Sequence, residues 1–154
     1  MNFKKNTISL YLILAIFFVA CSHYDNLEKN GKESSANGKS HNAGQDCMSC
    51  HNNASIGASS NWWNIAGTVY NYGLISNNTT VELWSDTMGS GYKIAGLVSD
   101  KNGNFYSEKI FNFNGGCYPI VKNGTTTRKM ISKYTGGGCN SCHGKSTEKI
   151  YLNQ

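Results

Sequence analysis

Along the chain the apolar residues change their spacing more than once. Residues 8–20 form one apolar run interrupted only by Ser9. Residues 21–40 then hold almost no apolar side chains and several Gly, Ser and Asn, so this stretch buries too little surface to order itself and reads as a flexible tether. From residue 62 to about 121, short β-type runs alternate with turn residues. They predict strands over 65–70, 79–84, 92–98, 105–113 and 118–121. In the second of these, Val81 and Leu83 alternate with Thr80 and Glu82, the period of a half-buried strand. Asp100-Lys101-Asn102-Gly103-Asn104 predicts a turn, with Gly103 able to take positive φ. No window carries a helical period. The pattern predicts a mainly β protein: a small antiparallel β-sandwich over 62–132, flanked by the short segments 41–61 and 133–154.

The run at 8–20 is too short for a comfortable membrane span and follows Lys4 and Lys5, so residues 1–20 read as an export signal. It ends in Phe18-Val19-Ala20-Cys21, which resembles a bacterial lipobox. The resemblance implies cleavage before Cys21 and lipidation of its thiol; an ordinary secretory signal is the alternative. The expected location is outside the cytoplasm, as a membrane-anchored lipoprotein in the periplasm or at the cell surface. The formal charge of +5 falls to +3 without Lys4 and Lys5, and the remaining charges are scattered. Nothing in that distribution predicts a nucleic-acid partner.

Candidate chemistry lies in two stretches of one pattern. Cys47-Met48-Ser49-Cys50-His51 and Cys139-Asn140-Ser141-Cys142-His143 each read C-x-x-C-H, the attachment pattern of c-type haem. Two thiols three positions apart on a tight turn can both bond the vinyl groups along one porphyrin edge, and the next residue brings an imidazole to the iron. Cys47, Cys50, Cys139 and Cys142 are thus expected to hold two covalent haems, with His51 and His143 as proximal ligands. The rival readings, a zinc site built from the cysteine pairs or disulfides, leave the repeated His unexplained. Of the six cysteines, lipid and haem take all but Cys117, which is expected to be a small buried hydrophobe.

The middle region resembles a known module. Ala66-Gly67-Thr68-Val69-Tyr70, the Val81-Glu82-Leu83 run and Ser99-Asp100-Lys101-Asn102-Gly103-Asn104-Phe105-Tyr106 are similar to the transthyretin-like, carboxypeptidase-regulatory-like β-sandwich. That resemblance implies a scaffold or adhesive fold without catalysis. The C-x-x-C-H stretches resemble those of multihaem cytochromes c, and the whole layout resembles small exported dihaem lipoproteins.

The second iron ligands are bounded by counting. Besides His51 and His143 only His23 and His41 remain, and His23 sits in the tether. His41, just upstream of the first motif, is a candidate distal ligand. Among the methionines, Met48 is inside an attachment turn, Met88 is in a predicted hairpin loop, and Met130 precedes the second motif as His41 precedes the first. Met130 is therefore the other candidate, with an ordinary core thioether as its alternative. A His/Met iron and a bis-His iron would differ in potential, because the thioether favours Fe(II). Trp62 and Trp63 are expected to pack in the core or on a haem. The expected function is single-electron transfer to a redox partner protein or extracellular acceptor, with no enzymatic role beyond a minor reductase activity at an open haem. The alternative is a β-sandwich binding module whose cysteine pairs clip a metal or form disulfides.

Overall fold

A computed structural model describes residues 31–52, 62–87, 89–113 and 115–154. The expectations for the export signal, Cys21, His23 and Met88 fall outside the described residues. Two small sheets face each other, as the alternation predicts. One is built on β1 (Ile65–Asn71), which pairs antiparallel with β5 (Asn104–Ser107) along its first half and β2 (Leu74–Ile75) at its end, with β8 (Ile150–Tyr151) parallel to it. The other runs β4 (Lys93–Val98), β3 (Thr80–Trp84), β6 (Tyr118–Asn123), β7 (Thr126–Lys129), all antiparallel. No helix among the described residues is long and apolar enough to cross a membrane.

The core lies between the sheets. Ile65 and Val69 of β1, Val81 and Leu83 of β3, Leu97, Phe105, Val121 and Leu152 form one buried cluster. Val81 and Leu83 point inward while Thr80, Glu82 and Trp84 are half-buried, matching the predicted alternation. Cys117 is fully buried in the same cluster, the packing role expected of it. Gly67 is required by a close approach. A Cβ there would stand 2.5 Å from the Phe105 ring and 2.9 Å from the Cβ of Cys139.

Two stretches differ from the sequence prediction. The strand foreseen over 105–113 ends at Ser107. Beyond it the backbone turns away, with Lys109 N–H donating to Ser107 Oγ and Phe111 N–H to Asn64 Oδ1. Phe111 and Phe113 instead meet edge to face and pack on the core. The end of the supposed tether is also docked. Ser34 N–H donates to the Tyr106 carbonyl at 3.0 Å, and Lys32 and Glu108 exchange backbone and carboxylate bonds. Composition shows too little apolar surface here, but the free edge of β5 supplies backbone partners instead.

β1 is buried along nearly its whole length, on both faces. Its inner face meets the core. Its outer face is covered by the loop that enters the first C-x-x-C-H: Gly44 lies against the Tyr70 hydroxyl, and Gly44 N–H donates to Thr68 Oγ1. One edge of β1 pairs with β5 and β2. Gly137 and Gly138 pair at the start of the other edge and β8 at its end. The second C-x-x-C-H therefore forms a loop that leaves the β1 edge at Gly138 and returns at Ile150.

Candidate haem-attachment site

The two motifs fold into the same turn. Cys47–Ser49 and Cys139–Ser141 are each one turn of 3-10 helix. In the first, Ser49 N–H donates to the Asp46 carbonyl at 3.1 Å and His51 N–H to the Cys47 carbonyl at 2.9 Å. In the second, Ser141 N–H donates to the Gly138 carbonyl at 3.2 Å and His143 N–H to the Cys139 carbonyl at 3.0 Å. The serine hydroxyls repeat the match, Ser49 to the Asp46 carbonyl at 2.7 Å and Ser141 to the Gly138 carbonyl at 2.6 Å. Both serines are short side chains that tie off a turn locally. Each turn presents an inner cysteine, Cys47 or Cys139, and an exposed one, Cys50 or Cys142. Burial, reinforced by neighbouring Cys117 and Cys47, pushes the Cys139 thiol up to about 12; burial also raises Cys47. Among the described residues no disulfide joins these thiols, and no three His, Cys, Asp or Glu side chains gather as a metal cluster would require.

The turns flank the sandwich in sequence, but folding sets them side by side. Lys145, two residues past the second motif, pairs with Asp46 at 3.0 Å, one residue before the first. The contacts are reciprocal. Asn140, the second residue of its motif, donates Nδ2 to the carbonyl of Gln45 at 2.9 Å. Met48, the matching residue of the other motif, packs against Gly138, where an added Cβ would sit 3.0 Å from its Cγ.

Their surroundings differ. The His51 ring stacks on Trp63, with centres 3.6 Å apart and planes within 2°, and Trp63 stacks in turn on Tyr106 at 4.4 Å. Trp63 is buried, and its backbone N–H donates to the His51 carbonyl at 3.3 Å. His41, exposed at the surface, brings its ring centre to 5.8 Å from that of His51. The structure thus brings His41, the distal candidate named from sequence, beside His51.

The second turn opens instead onto a cavity of about 400 Å³ at the side of the sandwich. Cys139, Cys142 and His143 line it together with Phe105, Val121 and Met130. Met130 follows β7, its N–H held by the Pro119 carbonyl at 2.9 Å. His143 Nδ1 lies 2.7 Å from the Glu148 carbonyl, with Thr147 Oγ1 at 3.3 Å. A carbonyl can only accept, so Nδ1 carries the proton and Nε2 of the neutral ring keeps its lone pair for a metal. Arg128, Lys129 and Lys149 add positive charge around the cavity. Tyr134, also lining it, has its hydroxyl raised to about 12 by burial and the nearby cysteines.

The motif residues, His41 and Met130 could be named from sequence, though not which belongs with which. Sequence reasoning missed Thr68, Asn104 and Asn140, which connect the turns, and the Tyr106 end of the aromatic stack. The available signals were the polar Asn140 where the first motif has Met48, and a polar Thr68 inside a buried strand. No family model matches the chain, and neither a curated protein nor a solved structure does.

Proposed function

We propose that this protein is an exported dihaem c-type cytochrome, lipid-anchored through Cys21, that passes single electrons outside the cytoplasm. The observation that carries the reading is the duplicated turn: two C-x-x-C-H stretches, ninety-odd residues apart, with the same hydrogen bonds and the same inner and outer thiols. Cys47 and Cys50 would hold one haem and Cys139 and Cys142 the other. When bound, each haem supplies a one-electron Fe(III)/Fe(II) couple.

The protein's own residues do the rest. His51 would ligate the first iron with its ring steadied by Trp63, and His41, its ring centre 5.8 Å away, is the candidate second ligand there. His143 would ligate the second iron through Nε2, its ring oriented by the Glu148 carbonyl. Met130 shares the cavity with His143 and is the second-ligand candidate there. The mainly apolar cavity wall would shield a bound haem, and Arg128 and Lys149 would offer charge to the porphyrin carboxylates. The β-sandwich, which we read as transthyretin-like, serves as the frame. A redox partner protein or extracellular acceptor would take the electron.

Spectroelectrochemical titration of the exported protein tests the reading. The expected result is a haem spectrum that titrates in two one-electron steps at different potentials. A colourless protein carrying zinc by elemental analysis would overturn it.

A further inference from the structure

The two attachment turns do not touch the β-sandwich independently. They share one buried polar network centred on Thr68. Asn140 Oδ1 accepts from Thr68 N–H at 3.1 Å, filling a donor on the β1 edge between the pairings at Ala66 and Tyr70. Asn140 Nδ2 donates to Thr68 Oγ1 at 2.9 Å as well as to the Gln45 carbonyl. Thr68 Oγ1 also accepts from Gly44 N–H at 2.9 Å and donates to Asn104 Oδ1 at 2.6 Å. Asn104 Nδ2 then reaches Ser40 Oγ at 2.8 Å and the His41 carbonyl at 2.9 Å. Asp100 anchors the far end, fully buried, taking Asn102 and Asn104 N–H on one oxygen and Ser40 N–H on the other. Thr68, Asn104 and Asn140 are each nearly inaccessible, at 1%, 2% and 3% exposure. The Thr68 hydroxyl uses its proton and accepts twice, so the network is closed at its centre.

We propose that Thr68, Asn104 and Asn140 are positioning residues that lock both attachment turns and the His41 loop into one unit, so that the two haems form a coupled pair at one fixed separation. This rests on the dihaem reading. A closed buried network has one low-energy arrangement, because breaking any link strands a buried polar atom. An apolar residue at 68 would keep the backbone pairing of β1 but leave Gly44 N–H, Asn140 Nδ2 and Asn104 Oδ1 each short of a partner. What the network adds is a link from the second turn, through β1, to the loop carrying Gln45 and His41.

The test uses the haem-loaded mature protein. Two strong chromophores held close at fixed orientation give a two-signed circular-dichroism couplet in the Soret band. The wild type is expected to show it. Thr68→Val keeps the side-chain shape but removes the hydroxyl. It should lose most of the couplet while haem content by pyridine haemochrome stays unchanged, and Thr68→Ser should restore it. Asn140→Leu, on the other arm, should do the same as Thr68→Val even if the latter folds poorly. Two haems per chain with no couplet in the wild type, or a couplet untouched in both variants, overturns the proposal and leaves the cytochrome reading standing. Absence of haem from the wild type overturns both.

Discussion

The two attachment turns are alike in backbone and unlike in setting. Around Cys47–His51 the outer face of a sheet offers a flat aromatic stack and a second imidazole at the surface. Around Cys139–His143 the sandwich itself opens, giving an apolar cavity with a thioether in its wall. On the dihaem reading proposed above, one short motif would supply the same covalent chemistry twice. The surroundings decide what each site does with it, since ligand type and solvent access set the potential of a haem. The same turn thus sits in two different settings, an aromatic stack in one case and a cavity wall in the other.

The comparison can be broken most severely by removing one site. Cys139→Ala with Cys142→Ala should leave one covalent haem per chain, retained at the first turn, and the reciprocal change at Cys47 and Cys50 should leave the other. Haem counting by pyridine haemochrome reads both. Loss of both haems from either variant would show the sites to be interdependent for assembly.

Gly67→Ala should come next. The new methyl would meet the Phe105 ring and Cys139, so overpacking should cost about 1–3 kcal/mol in chemical denaturation. Because Cys139 moves with it, the second site should be disturbed more than the first.

Ligand changes sharpen the contrast without removing a haem. Met130→His should lower the potential of one redox step only, since an imidazole favours Fe(III) relative to a thioether. His41→Ala should alter the other step only. Redox titration of each variant against the wild type separates them, and a shift of the same step by both changes would contradict the assignment. Trp63→Leu should have a smaller effect, destabilising the fold by about 1 kcal/mol beyond lost area through the broken stack on His51.

The smallest expected effect lies away from both turns and serves as a control. Glu82 is opposed by desolvation, but hydrogen bonds from Lys122 and Trp84 and the charges of Lys122 and Lys93 hold its carboxyl below the usual range. A depressed folded pKa contributes stability above the unfolded value, and that stability is lost as pH falls through the folded one. Glu82→Gln should flatten the acid limb of the melting temperature below about pH 4.5. It should leave both redox steps where they were.

Much of the frame is legible in the sequence, because local chemistry dictates it. Alternation at Val81 and Leu83 fixes the inward face of β3, and Asp100 to Gly103 must turn. The attachment turns are legible because the spacing of two thiols and an imidazole is itself the signal. What could not be read depends on which distant segments meet. Composition marks 31–40 as unable to order itself, yet the edge of β5 orders it through backbone pairing. Phe105 and Phe113 look like one strand, yet the chain turns after Ser107 where Asn64 and Glu33 offer other partners. Asn140 looks like a filler residue until β1 presents an open N–H beside it. Likewise, nothing local says that His41 lies beside His51 or that Met130 shares a cavity with His143; only the folded arrangement of the loops shows it.

Everything rests on covalent attachment at both turns, and the intact mass of the mature chain after denaturing extraction of loosely held haem tests it most directly. The expected result is the polypeptide mass plus two haems. The bare polypeptide mass, from protein matured in a host able to attach c-type haem, would contradict it.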